Sequence, residues 1–178
     1  FESSNCFNYI VRTLDKAGFQ TNEIMEVINK DETNIFHYCA FKGIRDGINL
    51  LLDDNRFLDE EHKRIMLHNW NKKKLNPIHY CLLGDKYECV EILEDLLAYD
   101  NMSNLPLYRI NERQYFDNES HKYSYLLLKQ LNKNYTLKKD MMCVLIDYNM
   151  SLPTGKSFSE VKSINLFNDM KKYCQEKS

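Results

Sequence analysis

Apolar residues between positions 36 and 52 recur with a helical period rather than an alternating one. Phe36, Cys39 and Ala40 form one group, and Ile48, Leu51 and Leu52 form a second at i, i+3 and i+4. The first group lies in "NIFHYCAFKG" (34–43) and the second in "IRDGINLLLDD" (44–54), so each predicts a short helix with Gly43 marking the turn. The design returns 42 residues later, in "NPIHYCLLGD" (76–85) followed by "YECVEILEDLL" (87–97). Both copies open on Asn, a strong helix N-cap because its side-chain oxygen accepts a backbone N–H. Pro77 follows Asn76 at the first helical position, where a missing N–H costs nothing. The small residues Cys39, Ala40 and Cys81 let a second helix approach closely. Two short antiparallel helices cannot bury their apolar faces alone, so the recurrence predicts stacked helical hairpins and an all-α fold.

These two stretches resemble the ankyrin repeat, whose pattern runs T-P-L-H-x-A, a Gly-containing turn, then V-x-x-L-L. Asn34 and Asn76 stand at the family's Thr, Pro77 at its Pro, Phe36 and Ile78 at its Leu, and His37 and His79 at its His. Cys39 and Cys81 take the first Ala, Ala40 the second, and Gly43 the turn glycine. Ile35, Leu82 and Asp85 depart from the pattern, replacing the Pro, the second Ala and the turn Gly. The 42-residue spacing exceeds the family's period of about 33. The excess is assigned to an inserted helix, "DEEHKRIMLH" (59–68).

The resemblance implies an ankyrin-like solenoid with short hairpin-like loops, in one array over 1–178. Its expected parts are N-terminal capping helices (1–30), a repeat plus the inserted helix (31–70), and a repeat plus an inserted loop (71–122). A degenerate repeat (123–153) and C-terminal capping helices (154–178) follow. Phe7, Ile10, Val11 and Leu14 form a stripe in the first part, and "NEIMEVINK" (22–30) reads as its second helix. "SYLLLKQLNK" (124–133) and "DMMCVLIDYNMSLP" (140–153) form the looser hairpin, with Leu145 and Ile146 on its second helix. In the last part Ser157 is the expected cap, with Ile164 and Phe167 on the buried face. The polar segment between Asp100 and Ser120 is the expected loop.

Composition narrows the function classes. Hydrophobic residues make up 43% and charged residues 28%, ordinary for a folded domain, and 5 Gly with 3 Pro argue against a turn-dense β fold. The net charge of −2 gives no case for nucleic-acid binding, and no apolar run is long enough for a membrane span. Phe1 is not an initiator and "FESSNCFNYI" lacks a basic n-region, so the chain reads as an excerpt with no signal peptide visible. Cys39, Cys81, Cys89 and Cys143 lie among apolar neighbours in helical patterns, which points to reduced core thiols and an intracellular, cytoplasmic setting. That setting would be a host cytoplasm if the protein is a secreted effector. Asn-x-Ser/Thr matches at Asn101, Asn118, Asn134 and Asn149 arise readily by chance in an Asn-rich chain.

Rival chemistries are weaker. His37 and Cys39 are two positions apart, about 200° around a helix, so they cannot hold one metal ion together. "PTGKSF" (153–158) ends like a phosphate-binding loop, but Met150 stands where that motif needs Gly. No Cys has a nucleophile's context, and Cys6 and Cys174 read as residues of frayed helix ends. No catalytic residue, cofactor or metal is expected.

The ankyrin resemblance implies protein–protein recognition through loop tips and the concave face of the first helices. Lys30, Asp31, Trp70, Lys72, Lys73 and Lys74 fall at the tips; Phe41, Lys42 and Leu83 fall where the first helix faces the groove. Trp beside lysines suits a protein partner offering an acidic peptide with an apolar anchor. A monomer is the expectation. The alternative class is a targeting or regulatory domain of a larger enzyme, and a further one places the contacts on the insertions 53–70 and 99–122.

Overall fold

The computed structural model describes residues 30–53, 58–102, 126–148 and 161–177, with isolated positions at 9, 12–13, 16–18 and 123. Every regular element among the described residues is a helix. The expected stripe at 7–14, the helix 22–30, most of the loop after 102, the Gly-Lys-Ser stretch and Ser157 lie largely or wholly outside them. The chain forms two compact units, Phe1–Tyr99 and Asp100–Ser178.

In the first unit, α1 (Ile35–Lys42) and α2 (Arg45–Asp53) make one hairpin, and α4 (Pro77–Leu83) and α5 (Glu88–Met102) continue the second. The inserted segment forms α3 (Glu60–His68), opened by Asp59, whose carboxylate accepts the His62 N–H. Helix α5 continues through Met102, past the point where the polar loop was expected. No described helix is long and apolar enough to cross a membrane.

Both predicted caps form. Asn34 Oδ1 accepts the His37 N–H at 3.2 Å, and the Asn34 N–H returns a bond to His37 Nδ1 at 3.2 Å. Asn76 and His79 repeat the exchange at 3.1 and 3.0 Å. This is a capping box with His in the place usually held by Glu or Gln. With Nδ1 accepting, His37 Nε2 carries the proton and donates to the Leu75 carbonyl at 3.1 Å, fastening the first cap to the loop before the second. Burial holds the His37 pKa below its ordinary value, against the opposing pull of the Leu75 and Asn69 carbonyls, which suits this neutral form.

Asn34 does more than cap. Its Nδ2 donates to the buried Met66 carbonyl at 2.7 Å, tying α1 to the inserted helix. Asn34→Ala is therefore expected to cost about 2–3 kcal/mol, a lost cap plus a buried carbonyl without its donor. Thr at 34 restores the cap acceptor but not the donor, so it recovers only part of the loss. Urea midpoints of the two variants check this; an alanine variant that unfolds with the parent contradicts it.

Packing follows the small residues. Helix α1 lies against α4 and α2, with Phe36, Cys39 and Ala40 at 0% exposure and Cys81 and Leu82 likewise. Gly43 ends α1 in the left-handed region (φ 69°), a conformation glycine adopts without steric cost. Gly84 ends α4 with ordinary backbone angles, yet a Cβ there would stand 2.4 Å from Cys89 Sγ and 3.0 Å from the Phe41 carbonyl. Position 84 is thus a close-approach glycine. None of Cys39, Cys81, Cys89, Cys143 and Cys174 forms a disulfide.

The second unit holds the helical stretch 126–130, α6 (Tyr135–Asp147) and α7 (Val161–Lys177). Asn134, one of the Asn-x-Thr matches, is the N-cap of α6, its Oδ1 accepting the Leu137 N–H at 3.2 Å. Tyr135 at the start of α6 donates to Asp169, while Asp147 at its end accepts from Tyr173 and Lys177. The two helices therefore run in the same sense. Leu145 is buried and Ile146 half-buried. Phe167, expected on the buried face of α7, is instead 44% exposed, and Leu166 and Met170 are buried. One residue around a helix is 100°, so with Leu166 and Met170 buried on one face, Phe167 turns outward.

Candidate functional site

The loops ahead of the two caps share a backbone feature. Glu32 and Lys74, each two residues before a cap, both lie in the left-handed region (φ 61° and 58°). The loops are also joined: the Lys72 N–H donates to the Asp31 carbonyl at 3.0 Å, and Lys72 Nζ to the Lys30 carbonyl at 2.5 Å. Asn69 Nδ2 adds a bond to the Glu32 carbonyl at 3.3 Å. Lys30, Asp31, Lys72, Lys73 and Lys74 remain exposed.

Asn71 organises the second tip from within. It is 2% exposed; its Oδ1 accepts the N–H groups of Lys73 and Leu75, and its Nδ2 donates to the Tyr80 hydroxyl at 2.8 Å. Asn71 is not among the expected site residues, although N-K-x-x-x-N occurs at both 29–34 and 71–76 and carries the signal.

Left-handed backbone costs a residue with a Cβ roughly 1–2 kcal/mol, and glycine avoids most of it. Glu32→Gly and Lys74→Gly are each expected to raise stability by about 0.5–1 kcal/mol, the rest being offset by glycine's freedom in the unfolded chain. Lowered urea midpoints would show that side-chain contacts at these positions outweigh the backbone.

Beside the tips, the uncovered faces of α1 and α4 carry a ladder. Tyr38 and Phe41 on α1 stand in register with Tyr80 and Leu83 on α4, each pair 42 residues apart. Phe41 is 40% exposed, and the other three are half-buried. Phe41 meets the Tyr80 ring edge-on at 6.2 Å, and Lys42 Nζ lies 5.9 Å from the Phe41 ring centre. Tyr38 and Tyr80 were not singled out in the sequence, although the doubled His-Tyr-Cys contains them.

Trp70 is half-buried at the base of the second tip, edge-on to His79 with 6.3 Å between ring centres. The nine expected contact residues thus divide into tips, ladder and one supporting aromatic. The other eight expected positions, Asn34, His37, Cys39, Gly43, Asn76, Pro77, His79 and Cys81, are caps, turn and packing. Burial pushes the Cys39 thiol up to about 12, far from a nucleophile's range. Among the described residues no three His, Cys, Asp or Glu side chains converge as metal ligands would. In the second unit an open groove of about 420 Å³ is lined by Tyr135, Asn165, Asn168 and Asp169.

No protein-family model matches the chain, and no curated protein or solved structure matches it.

Proposed function

We propose that this chain is a protein-recognition module of the ankyrin-repeat type, a stack of helical hairpins without catalysis in this segment. The observation that carries the reading is that two mutually bonded loop tips, each with a left-handed residue two positions before its cap, adjoin the helices that carry the Tyr38/Phe41/Tyr80/Leu83 ladder. Loops cross-linked to one another and to buried caps are pre-ordered, so a partner would meet a surface whose ordering cost is already met within the fold. Partly exposed aromatic side chains beside polar rims are the composition of binding hot spots.

A random peptide library displayed on phage and selected against the chain tests this. Peptides are expected to enrich above an unrelated helical domain and to shift the emission of Trp70, the chain's single Trp. Amide exchange should show protection at 30–33, 69–75 and the adjoining turns of α1 and α4. Phe41→Ala should weaken the peptides by more than about 1 kcal/mol with the melting temperature unchanged. Absence of enrichment, or protection confined to the second unit, refutes the reading.

A further inference from the structure

The charges of the first unit are sorted in a way that the net charge of −2 hides. Around the ladder, Lys72, Lys73 and Lys74 follow one another on the second tip, with Lys30 beside them and Lys42 at the Phe41 ring. Asp31 and Glu32 stand on the first tip, which is bonded to the second, so the joined tips carry four exposed lysines against two carboxylates. The outer faces of the second helices are the reverse: Asp46 and Asp53 on α2, and Glu88, Glu91 and Glu94 on α5, are exposed. On that side Arg45 is engaged at 2.8 Å by Asp95 and at 3.1 Å by Glu91, and Lys86, ahead of α5, is exposed.

We infer that the occupant of the ladder is an acidic segment of another protein. It places one apolar side chain between Phe41 and Leu83 and its carboxylates over Lys72–Lys74. This rests on the recognition reading and adds the chemistry of the partner. Two features of the surface select it. The lysine tip stands ahead of the start of α4 and the Phe41/Leu83 anchor at the ends of α1 and α4, so a segment that runs from the anchor back along these helices meets the three lysines. Complementary charge at a solvent-exposed rim favours encounter and rejects basic segments, while the aromatic anchor supplies residence. The acidic faces of α2 and α5 repel the same segment and confine it to the ladder side.

The sequences of the enriched phage peptides, and their salt dependence as free synthetic peptides, test the inference. The pool is expected to carry net negative charge around one Leu, Phe or Trp. Dissociation constants should rise roughly tenfold between about 50 mM and about 300 mM NaCl. The Lys72→Ser/Lys73→Ser/Lys74→Ser triple variant, which removes three charges, should weaken the peptides at least as much as Lys73→Glu, which reverses one, and both should flatten the salt dependence. A neutral or basic pool that binds through Phe41 without salt sensitivity overturns this inference and leaves the recognition reading standing. No enriched pool overturns both. Salt-sensitive self-association in sedimentation, abolished by the triple variant, would give the site to the acidic face of a second copy and overturn the inference as well.

Discussion

Replacing Gly84 with alanine is expected to destabilise the first unit by about 3 kcal/mol, at the upper end of what overpacking a core costs. The added methyl would stand 2.4 Å from Cys89 Sγ, with the Phe41 and Cys81 carbonyls at 3.0 and 3.2 Å. Cys89 cannot swing aside easily: it is fully buried at the start of α5, and its thiol points at the Ala40 carbonyl, 3.4 Å away. The methyl must therefore push α5 away from the end of α1, where the two hairpins meet. A double-mutant cycle isolates the clash. Cys89→Ala removes the nearest atom, so Gly84→Ala/Cys89→Ala should be less destabilised than the sum of the single changes by more than about 1 kcal/mol. Urea unfolding of the four proteins is the measurement. Strict additivity would mean that the carbonyls, rather than the sulfur, set the limit.

Lys63 on the inserted helix carries the second large effect. It is 0% exposed, and its ammonium donates to the Leu52 carbonyl in the last turn of α2 at 2.5 Å and to Glu60 at 3.0 Å. Glu60 in turn accepts the Tyr99 hydroxyl of α5 at 2.5 Å, and that bond, followed by Lys63, holds its carboxyl below the usual range. One buried cation thus joins α2 to α3, and through Glu60 to α5. A cation at the C-terminal end of a helix meets carbonyls with no partner inside the helix and the negative end of its dipole.

Lys63→Met keeps most of the stem and removes the donor, which should cost about 1–3 kcal/mol. Lys63→Ala adds a cavity and should cost about 3–5 kcal/mol. Glu60→Gln should cost far less, because that side chain is 63% exposed and can exchange Lys63 for water. If Lys63→Met were silent in chemical denaturation, the inserted helix would be an appendage rather than a part of the core. This linkage also bears on the alternative that the insertions make the partner contacts. Helix α3 is bonded to α1 through Asn34, to α2 through Lys63 and to α5 through Glu60, which makes it a structural member of the unit.

What could be read from the chain alone was whatever depends on neighbours a few residues away. Helix starts at Asn34 and Asn76 follow from capping, a bond that closes within three positions and needs no tertiary partner. The 42-residue register was enough to set the tips and the caps at equivalent positions of the two copies, because a repeated sequence presents the same residue types at the same register. What only the tertiary structure decided was the identity of distant partners. Gly84 looks like any turn glycine until α5 arrives with Cys89 against it. Lys63 looks like a solvated charge on an amphipathic helix until the end of α2 lies beneath it. Phe167 and Leu166 are adjacent, and a periodic pattern does not say which of them turns toward α6, because the rotation of a long helix is set by the surface it packs on. Short-range hydrogen bonding wrote the first set of features, and the burial of surfaces far apart in the chain wrote the second.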